Sequence, residues 1–204
     1  MNGRLLIISS PSGGGKGTII GEVRADVVNL AYSVSHTTRE IREGETDGID
    51  YHFVSKPDFE KLIRDDEFLE YAEVHGNYYG TSKTFVDRET GKGRDVLLEI
   101  DVQGAEQVRG KVPDSVSVFI LPPSFGVLKE RLSQRKTESP EELALRLENA
   151  AAEVRHFSDF DYVIVNDKIE DAAADLKMII KANRLLRIRQ KGLIRDILTT
   201  FDNH

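Results

Sequence analysis

Ser9-Ser10-Pro11-Ser12-Gly13-Gly14-Gly15-Lys16-Gly17-Thr18 is the stretch whose reading decides the fold. It follows the apolar run Arg4-Leu5-Leu6-Ile7-Ile8, rich in strand formers, and leads into a helical pattern from Ile19 to about Ala25. Strand, glycine loop and helix in this order are the setting of a phosphate-binding loop. The glycines let several backbone N–H groups converge on one anion, and the helix N-terminus adds partial positive charge. Lys16 is then placed to reach β- and γ-phosphates, and a nearby hydroxyl to face a bridging Mg2+. The loop departs twice from the common G-x-x-x-x-G-K-[ST] pattern. Ser10 stands where the first glycine is expected, and Gly17 follows the lysine, which moves the hydroxyl to Thr18. Ser10 fits without strain only if its φ stays negative. A flexible Gly/Ser turn is the plain alternative; the strand before and the helix after argue for the phosphate loop.

Three further apolar runs read as buried strands: Asp95 to Asp101, Ser117 to Leu121 (stopped by Pro122-Pro123) and Tyr162 to Asn166. Near-continuous runs of this kind suit a parallel sheet covered on both faces. Helical patterns lie between and after them: Ser124 as cap of a helix to about Gln134, Pro140 in the first turn of one continuing toward His156, and one long helix from Glu170 to about Lys191. The alternation predicts an α/β fold with right-handed crossovers.

Residues 34–83 differ. Val34 to Thr38 and Tyr51 to Val54 alternate like exposed-face strands around a polar turn, Glu43 to Gly48; Asp58 to Arg64 is a short helix; Gly76 to Gly80 is a turn between extended pieces. This reads as a small mixed lobe inserted into the parallel core.

The bulk numbers narrow the function. A 204-residue chain with 39% hydrophobic and 31% charged residues is ordinary for a folded protein. A net charge of −7 makes it a poor general binder of nucleic acid, so phosphate chemistry must use local cation clusters. The absence of cysteine excludes disulfides, Cys-ligated zinc and thiol catalysis. No apolar run reaches the ~18 residues of a membrane span, and the first ten residues lack a signal-peptide core. The expectation is a cytoplasmic enzyme with small-molecule substrates, without nucleic-acid or membrane partners.

Ser35-His36-Thr37-Thr38-Arg39 is followed by Arg42 and by Gly48-Ile49-Asp50-Tyr51. Two arginines three apart on a turn can form a double fork for a phosphate dianion, with Tyr51 as a further donor. Interleaved Glu40, Glu43 and Glu45 make a solvated charged loop the alternative. Downstream, Glu70-Tyr71-Ala72-Glu73 and Gly76-Asn77-Tyr78-Tyr79-Gly80-Thr81-Ser82 place a carboxylate beside hydroxyls. Guanine N1–H and its 2-amino group are donors that suit Glu70; its O6 is an acceptor that suits Ser35 or Thr81. Adenine reverses this polarity and would leave buried groups unpaired.

Together the lobe motif, the Asn77-Tyr78-Tyr79-Gly80-Thr81 turn and Leu97-Leu98-Glu99-Ile100-Asp101-Val102-Gln103-Gly104 closely resemble the guanylate kinases, from the phosphate loop to about Arg184. The resemblance implies a single nucleoside-monophosphate-kinase domain: a core of about 1–33, 84–125 and 151–204, a GMP-binding lobe of about 34–83, and a helical lid of about 126–150. It implies ATP contacts at Pro11, Ser12, Gly13, Gly14, Gly15, Lys16, Gly17 and Thr18, with Arg131, Arg135 and Asn166, the last against adenine. It assigns Arg39, Arg42, Tyr51 and Tyr79 to the GMP phosphate and Ser35, Glu70 and Thr81 to the base. Glu99 and Asp101 would face the nucleotide, and Thr18 and, through water, Asp101 would serve Mg2+. Lys16, Arg39, Arg135 and Arg146 would act on the transferring group. The activity implied is transfer of the γ-phosphoryl group of ATP to GMP, with dGMP expected to serve as well, in purine nucleotide metabolism. In the lid, Arg131-Leu132-Ser133-Gln134-Arg135-Lys136-Thr137-Glu138 carries Lys136 where the family has Gly.

Two rivals remain at this point: a guanylate-kinase-like interaction domain without catalysis, and a kinase for another nucleotide. The cations of the motif are all present, and Glu70 argues against AMP. Leu193, Ile194, Ile197 and Leu198 suit either an oligomer contact or a terminal helix packed on its own core, so monomer and homo-oligomer both stand.

Overall fold

A computed structural model describes residues 3–74, 76–134 and 140–202. The core is a five-stranded sheet formed by β1 (Leu5–Ser9), β2 (Leu30–Tyr32), β7 (Asp95–Glu99), β8 (Val116–Leu121) and β9 (Tyr162–Val165), in the order β2-β7-β1-β8-β9. All four pairings are parallel. The apolar runs explain this for β1, β7 and β8, whose alternate residues are covered on opposite faces. β9, read from sequence as buried, lies at the edge of the sheet and buries only Ile164, leaving Tyr162, Val163 and Val165 exposed. Leu6 and Ile8 of β1 pack with Ile19, Ile20 and Val23 of α1 (Lys16–Asp26) and with Leu176 and Ile180 of α7 (Ile169–Arg184). Leu5 and Ile7 pack on the other face with Val86 of α3 (Lys83–Gly91) and with Ala105 and Val108 of α4 (Val102–Lys111). Each of these buried Leu, Ile and Val side chains contributes about 1.5–3 kcal/mol of transfer free energy.

The second sheet has the order β4-β3-β6-β5, from β3 (His36–Thr37), β4 (His52–Phe53), β5 (Phe68–Val74) and β6 (Asn77–Ser82). It is mixed: β3 and β4 run parallel, whereas β6 is antiparallel to both β3 and β5. Phe59 of α2 (Lys56–Arg64) seals its underside, 4.5 Å from the Phe68 ring and stacked on Tyr78. Hydrogen bonds from Gln107 and Lys111 of α4 to Tyr71 and Leu69 carbonyls tie this lobe to the core.

The expected α/β architecture, parallel core and mixed lobe are what the structure contains. Several details differ. The first helix begins at Lys16 rather than Ile19, because positive φ at Gly13 and Gly15 completes the turn early. Asp101 is not strand but the N-cap of α4. Of Gly76 to Gly80, only Gly76 lies at the turn; Asn77 onward belongs to β6. β2, α3 and α4 carry no strong period and are found only in the structure.

The long C-terminal helix is broken. After α7 come Leu185 and Leu186, a 3-10 turn at Arg187–Gln190, and α8 (Lys191–Phe201). The cause is Asp95, 2% exposed, which accepts from Arg184 Nε at 2.7 Å, Arg189 Nη2 at 2.5 Å and the Arg4 backbone N–H at 2.9 Å. In a continuous helix, residues 184 and 189 would point roughly 140° apart. Bending lets both reach one buried carboxylate. α8 itself buries none of its residues, so packing on its own core is not the arrangement found.

Candidate active site

The loops at the carboxyl ends of β1, β7, β8 and β9 open on one edge of the parallel sheet, where ligands bind in such folds. After β1, residues 10–15 wrap into the start of α1. Gly15, the N-cap, has φ +83°, and no side chain caps the helix, so its first N–H groups are left for a ligand. A Cβ at Gly15 would lie 2.3 Å from Asn166 Nδ2. Ser10 keeps a negative φ and donates to the Pro11 carbonyl, so the loop accommodates it without strain. Lys16 Nζ donates to the Ile100 carbonyl at 3.0 Å, which holds the ammonium across the end of β7.

Three elements converge on this loop. Asn166, just beyond β9, is 1% exposed, and its amide donates to the Gly14 carbonyl at 2.8 Å. Its Nδ2 underpins the loop, while its buried Oδ1 has no hydrogen-bond partner and stays open to a donor such as a base amino group. Arg131 of α5 (Phe125–Ser133) donates Nη2 to the Asn166 carbonyl, while its buried Nη1 has no hydrogen-bond partner. That orphaned guanidinium nitrogen lies 3.9 Å from a Cβ position on Gly15, and a buried charged donor left unpaired is costly. An anion in the loop would satisfy it. From α6 (Pro140–Val154), Arg146 donates Nε and Nη2 to Ser12 Oγ at 3.3 and 3.0 Å, and Glu153 accepts the Ser12 N–H at 2.9 Å. Glu153 is absent from the sequence-based set, since nothing local marks a carboxylate 141 positions away. Arg135 lies outside the described residues.

In the second sheet, Arg39 is held by Glu45: Nη2 reaches Oε1 at 2.7 Å, and Nη1 donates to the Glu40 carbonyl. The Glu45 carboxylate raises the Arg39 pKa and has its own lowered in return, chiefly through that hydrogen bond. Glu45 Oε2 also accepts the Arg42 backbone N–H. Arg39 lies 5.4 Å over the Tyr51 ring, which meets Tyr79 edge-on at 5.9 Å. Burial pushes the Tyr51 hydroxyl up to about 12, so it remains a donor. Arg39, Tyr51 and Tyr79 thus form one cluster with Arg42 on its rim. Its anion is now Glu45, a residue that sequence reading took only as interleaved charge.

Beside it, Thr81 Oγ1 donates to Glu70 Oε1 at 2.5 Å across the β5–β6 pair. Both are buried, and burial raises the Glu70 pKa to about 7, against the lowering effect of that hydrogen bond. The Thr81 proton is therefore committed to Glu70. Ser35, also buried, makes no such bond and is the hydroxyl free for an acceptor. Glu70 Oε2 lies against α4, where a Cβ on Gly104 would come within 2.6 Å. Gly104 is thus needed bare for Glu70 to sit there. At the end of β7, Glu99 accepts from the Tyr32 hydroxyl at 3.0 Å, and Asp101 Oδ1 accepts from the Gly104 N–H.

The family model for guanylate kinase matches residues 2–183. The chain belongs to the guanylate kinase family. The guanylate kinase of Neisseria gonorrhoeae is 53% identical to it over 196 residues, covering 96% of each chain. That of Vibrio parahaemolyticus is 48% identical over 198 residues, again covering 96% of each. The crystal structure of the Anaplasma phagocytophilum guanylate kinase superposes with a TM-score of 0.80 at 37% identity, covering 98% of this chain and 95% of that one. The reaction of a guanylate kinase is ATP-dependent phosphorylation of GMP, and the chain is accordingly an ATP:GMP phosphotransferase. No helix among the described residues is long and apolar enough to cross a membrane.

The donor set fits the Mg2+ such kinases use. Among the described residues no three His, Asp or Glu groups converge into a metal cage. Mg2+ in phosphoryl transfer takes one or two protein ligands and completes its shell with phosphates and water. Glu99 is placed for this, 3.7 Å from a Cβ position on Gly17 in the first turn of α1, with Thr18 exposed beside it. Asp101 has both oxygens on α4, one to Gly104 N and one to Gln103 Nε2.

Proposed function

We propose that the chain binds ATP at residues 11–18 and GMP at the second sheet, with base choice made by Glu70. The observation that carries this is the buried Glu70 carboxylate, held by a hydrogen bond from Thr81, with a second hydroxyl, Ser35, buried just ahead of β3 in the same sheet. Ionised Glu70 accepts from guanine N1–H and its 2-amino group, and Ser35 donates to O6. Adenine offers the opposite polarity and would strand a buried carboxylate.

Arg39, Arg42, Tyr51 and Tyr79 take the acceptor phosphate in place of Glu45, a carboxylate exchanged for a phosphate of like charge. An oxygen of that phosphate attacks the γ-phosphorus of ATP, the bond to the β–γ bridging oxygen breaks, and ADP departs. The nucleophile is already anionic, so no general base is required. Catalysis rests on alignment and on charges fixed in advance. Lys16, leaving the Ile100 carbonyl, joins Arg131 and Arg146 in offsetting charge on the β- and γ-phosphates, with Arg135 the third cation expected of the lid. Mg2+ bound with ATP supplies further neutralisation there. Thr18 and Glu99 would hold it, with Asp101 through water. Asn166 positions the loop. The cytoplasm is where such a reaction finds both nucleotides.

Steady-state turnover of Glu70→Gln with GMP and with AMP tests this. GMP use falls by an order of magnitude or more through KM, consistent with loss of a charged hydrogen-bond partner. Unchanged GMP use would remove Glu70 as reader of the base.

A further inference from the structure

β2 and β7 pair in parallel with Tyr32 opposite Leu97, so Glu99, two residues further on, projects to the same face of the sheet as Tyr32. The Tyr32 hydroxyl donates to Glu99 Oε2 at 3.0 Å. The Tyr32 ring is itself fixed from α1, with the Arg24 guanidinium 3.9 Å over its centre. Glu99 Oε1 is left pointing at the first turn of α1, where it lies 3.7 Å from a Cβ position on Gly17. Residue 17 is where a phosphate loop ordinarily carries the hydroxyl that meets the metal, and here it has none. Asp101, whose two carboxylate oxygens each accept a hydrogen bond from α4, would reach the metal only through water.

We propose that Tyr32 is a positioning residue for metal–nucleotide binding: its phenol commits one oxygen of Glu99 and so directs the other to the place left by the missing hydroxyl at Gly17. The proposal rests on the reading of residues 11–18 as the ATP site. A glutamate side chain has three torsions to fix, and one hydrogen bond from a ring already clamped between β2 and α1 removes most of that freedom. The absence of a side chain at Gly17 is part of the arrangement, since it leaves Oε1 open to the water shell of the Mg2+. Tyr32 lies outside every motif of the chain and is visible only through strand register.

Calorimetric Kd values for the β,γ-imido analogue of ATP, measured with Mg2+ and with EDTA, test the proposal in wild type, Tyr32→Phe, Glu99→Gln, the double variant, and Tyr32→Phe with Gly17→Ser. The Kd ratio between the two conditions isolates the metal. In Tyr32→Phe that ratio falls about fivefold while the Kd in EDTA holds, the loss of one hydrogen bond to a charged group. Glu99→Gln falls at least as far, and the double variant no further, because the two act along one path. Gly17→Ser, whose Cβ makes only an ordinary contact, recovers part of the ratio in Tyr32→Phe. A ratio unchanged in Tyr32→Phe but reduced in Glu99→Gln would make Tyr32 merely structural and overturn the proposal. A ratio unchanged in both would overturn it by removing Glu99 from the metal. Failure of the wild type to bind the analogue at all would instead sink the ATP-site reading beneath it.

Discussion

Glu153 accepts the backbone N–H of Ser12 while Arg146, two turns earlier on the same helix, donates to the Ser12 hydroxyl. α6 therefore grips one residue of the phosphate loop by both its backbone and its side chain. Glu153→Ala removes the acceptor and leaves a loop N–H unpaired. The expected result is a severalfold rise in KM for ATP, with KM for GMP unchanged. Glu153→Gln keeps an acceptor oxygen and is expected to stay close to wild type. Equal effects of Ala and Gln would mean that charge, rather than the hydrogen bond, matters.

Glu70 links GMP binding to pH. Burial raises its pKa from 4.5 to about 7 in the ligand-free protein, and the guanine donors need the ionised form. KM for GMP should fall as pH rises through about 7, and Glu70→Gln should flatten that dependence. The stability effect runs the other way. A carboxyl whose folded pKa is raised contributes stability below pH 4.5 that is lost as pH rises through about 7, by up to about 3 kcal/mol. At pH 8 Glu70→Gln, still able to accept from Thr81, should melt above wild type by thermal denaturation while binding GMP poorly.

Gly104 and Glu70 share one space. An alanine methyl would lie 2.6 Å from Glu70 Oε2 and 3.3 Å from Asp101 Oδ1. The methyl displaces the carboxylate rather than the backbone, so Gly104→Ala should raise KM for GMP about tenfold and leave KM for ATP within twofold, read from initial rates. Equal effects on both substrates would contradict the placement.

His36 sets the acid limit of the second sheet. Its ring is buried against His52 and Phe68, with Nδ1 unpaired, and burial, with His52, lowers its pKa from 6.5 to about 4. Here stability is present above pH 6.5 and is lost as pH falls through about 4, opposite in sign to Glu70 over the shared window. His36→Phe should therefore make the ligand-free protein more resistant to acid between pH 6 and 4, measured by denaturant titration at each pH. Acid unfolding unchanged from wild type would place the sensitive group elsewhere.

The parallel core was legible because its strands are unbroken apolar runs whose two faces must both be covered. The phosphate loop was legible because glycines and a lysine sit between a strand and a helix. The short strand Leu30–Tyr32 and the helices α3 and α4 were not, since their periodicity is weak and tertiary contacts define them. The break between α7 and α8 depends on Asp95, far away in sequence, drawing Arg184 and Arg189 to one point. In the site, local chemistry pointed to Arg39, which lies beside its partners Glu40 and Glu45 in the chain. Glu153, Tyr32 and the service of Thr81 to Glu70 depend on pairings between distant segments, which no local pattern records. The bond from Asn166 Nδ2 to the Gly14 carbonyl is another such pairing, and it leaves Oδ1 without a partner.

The most direct measurement is ADP release from Mg–ATP in a coupled assay, with GMP, AMP, UMP and no acceptor compared at equal concentration. The account predicts rapid release with GMP and release near the no-acceptor background with AMP and UMP. Release with AMP comparable to that with GMP would contradict the assignment of Glu70 and Ser35 to guanine.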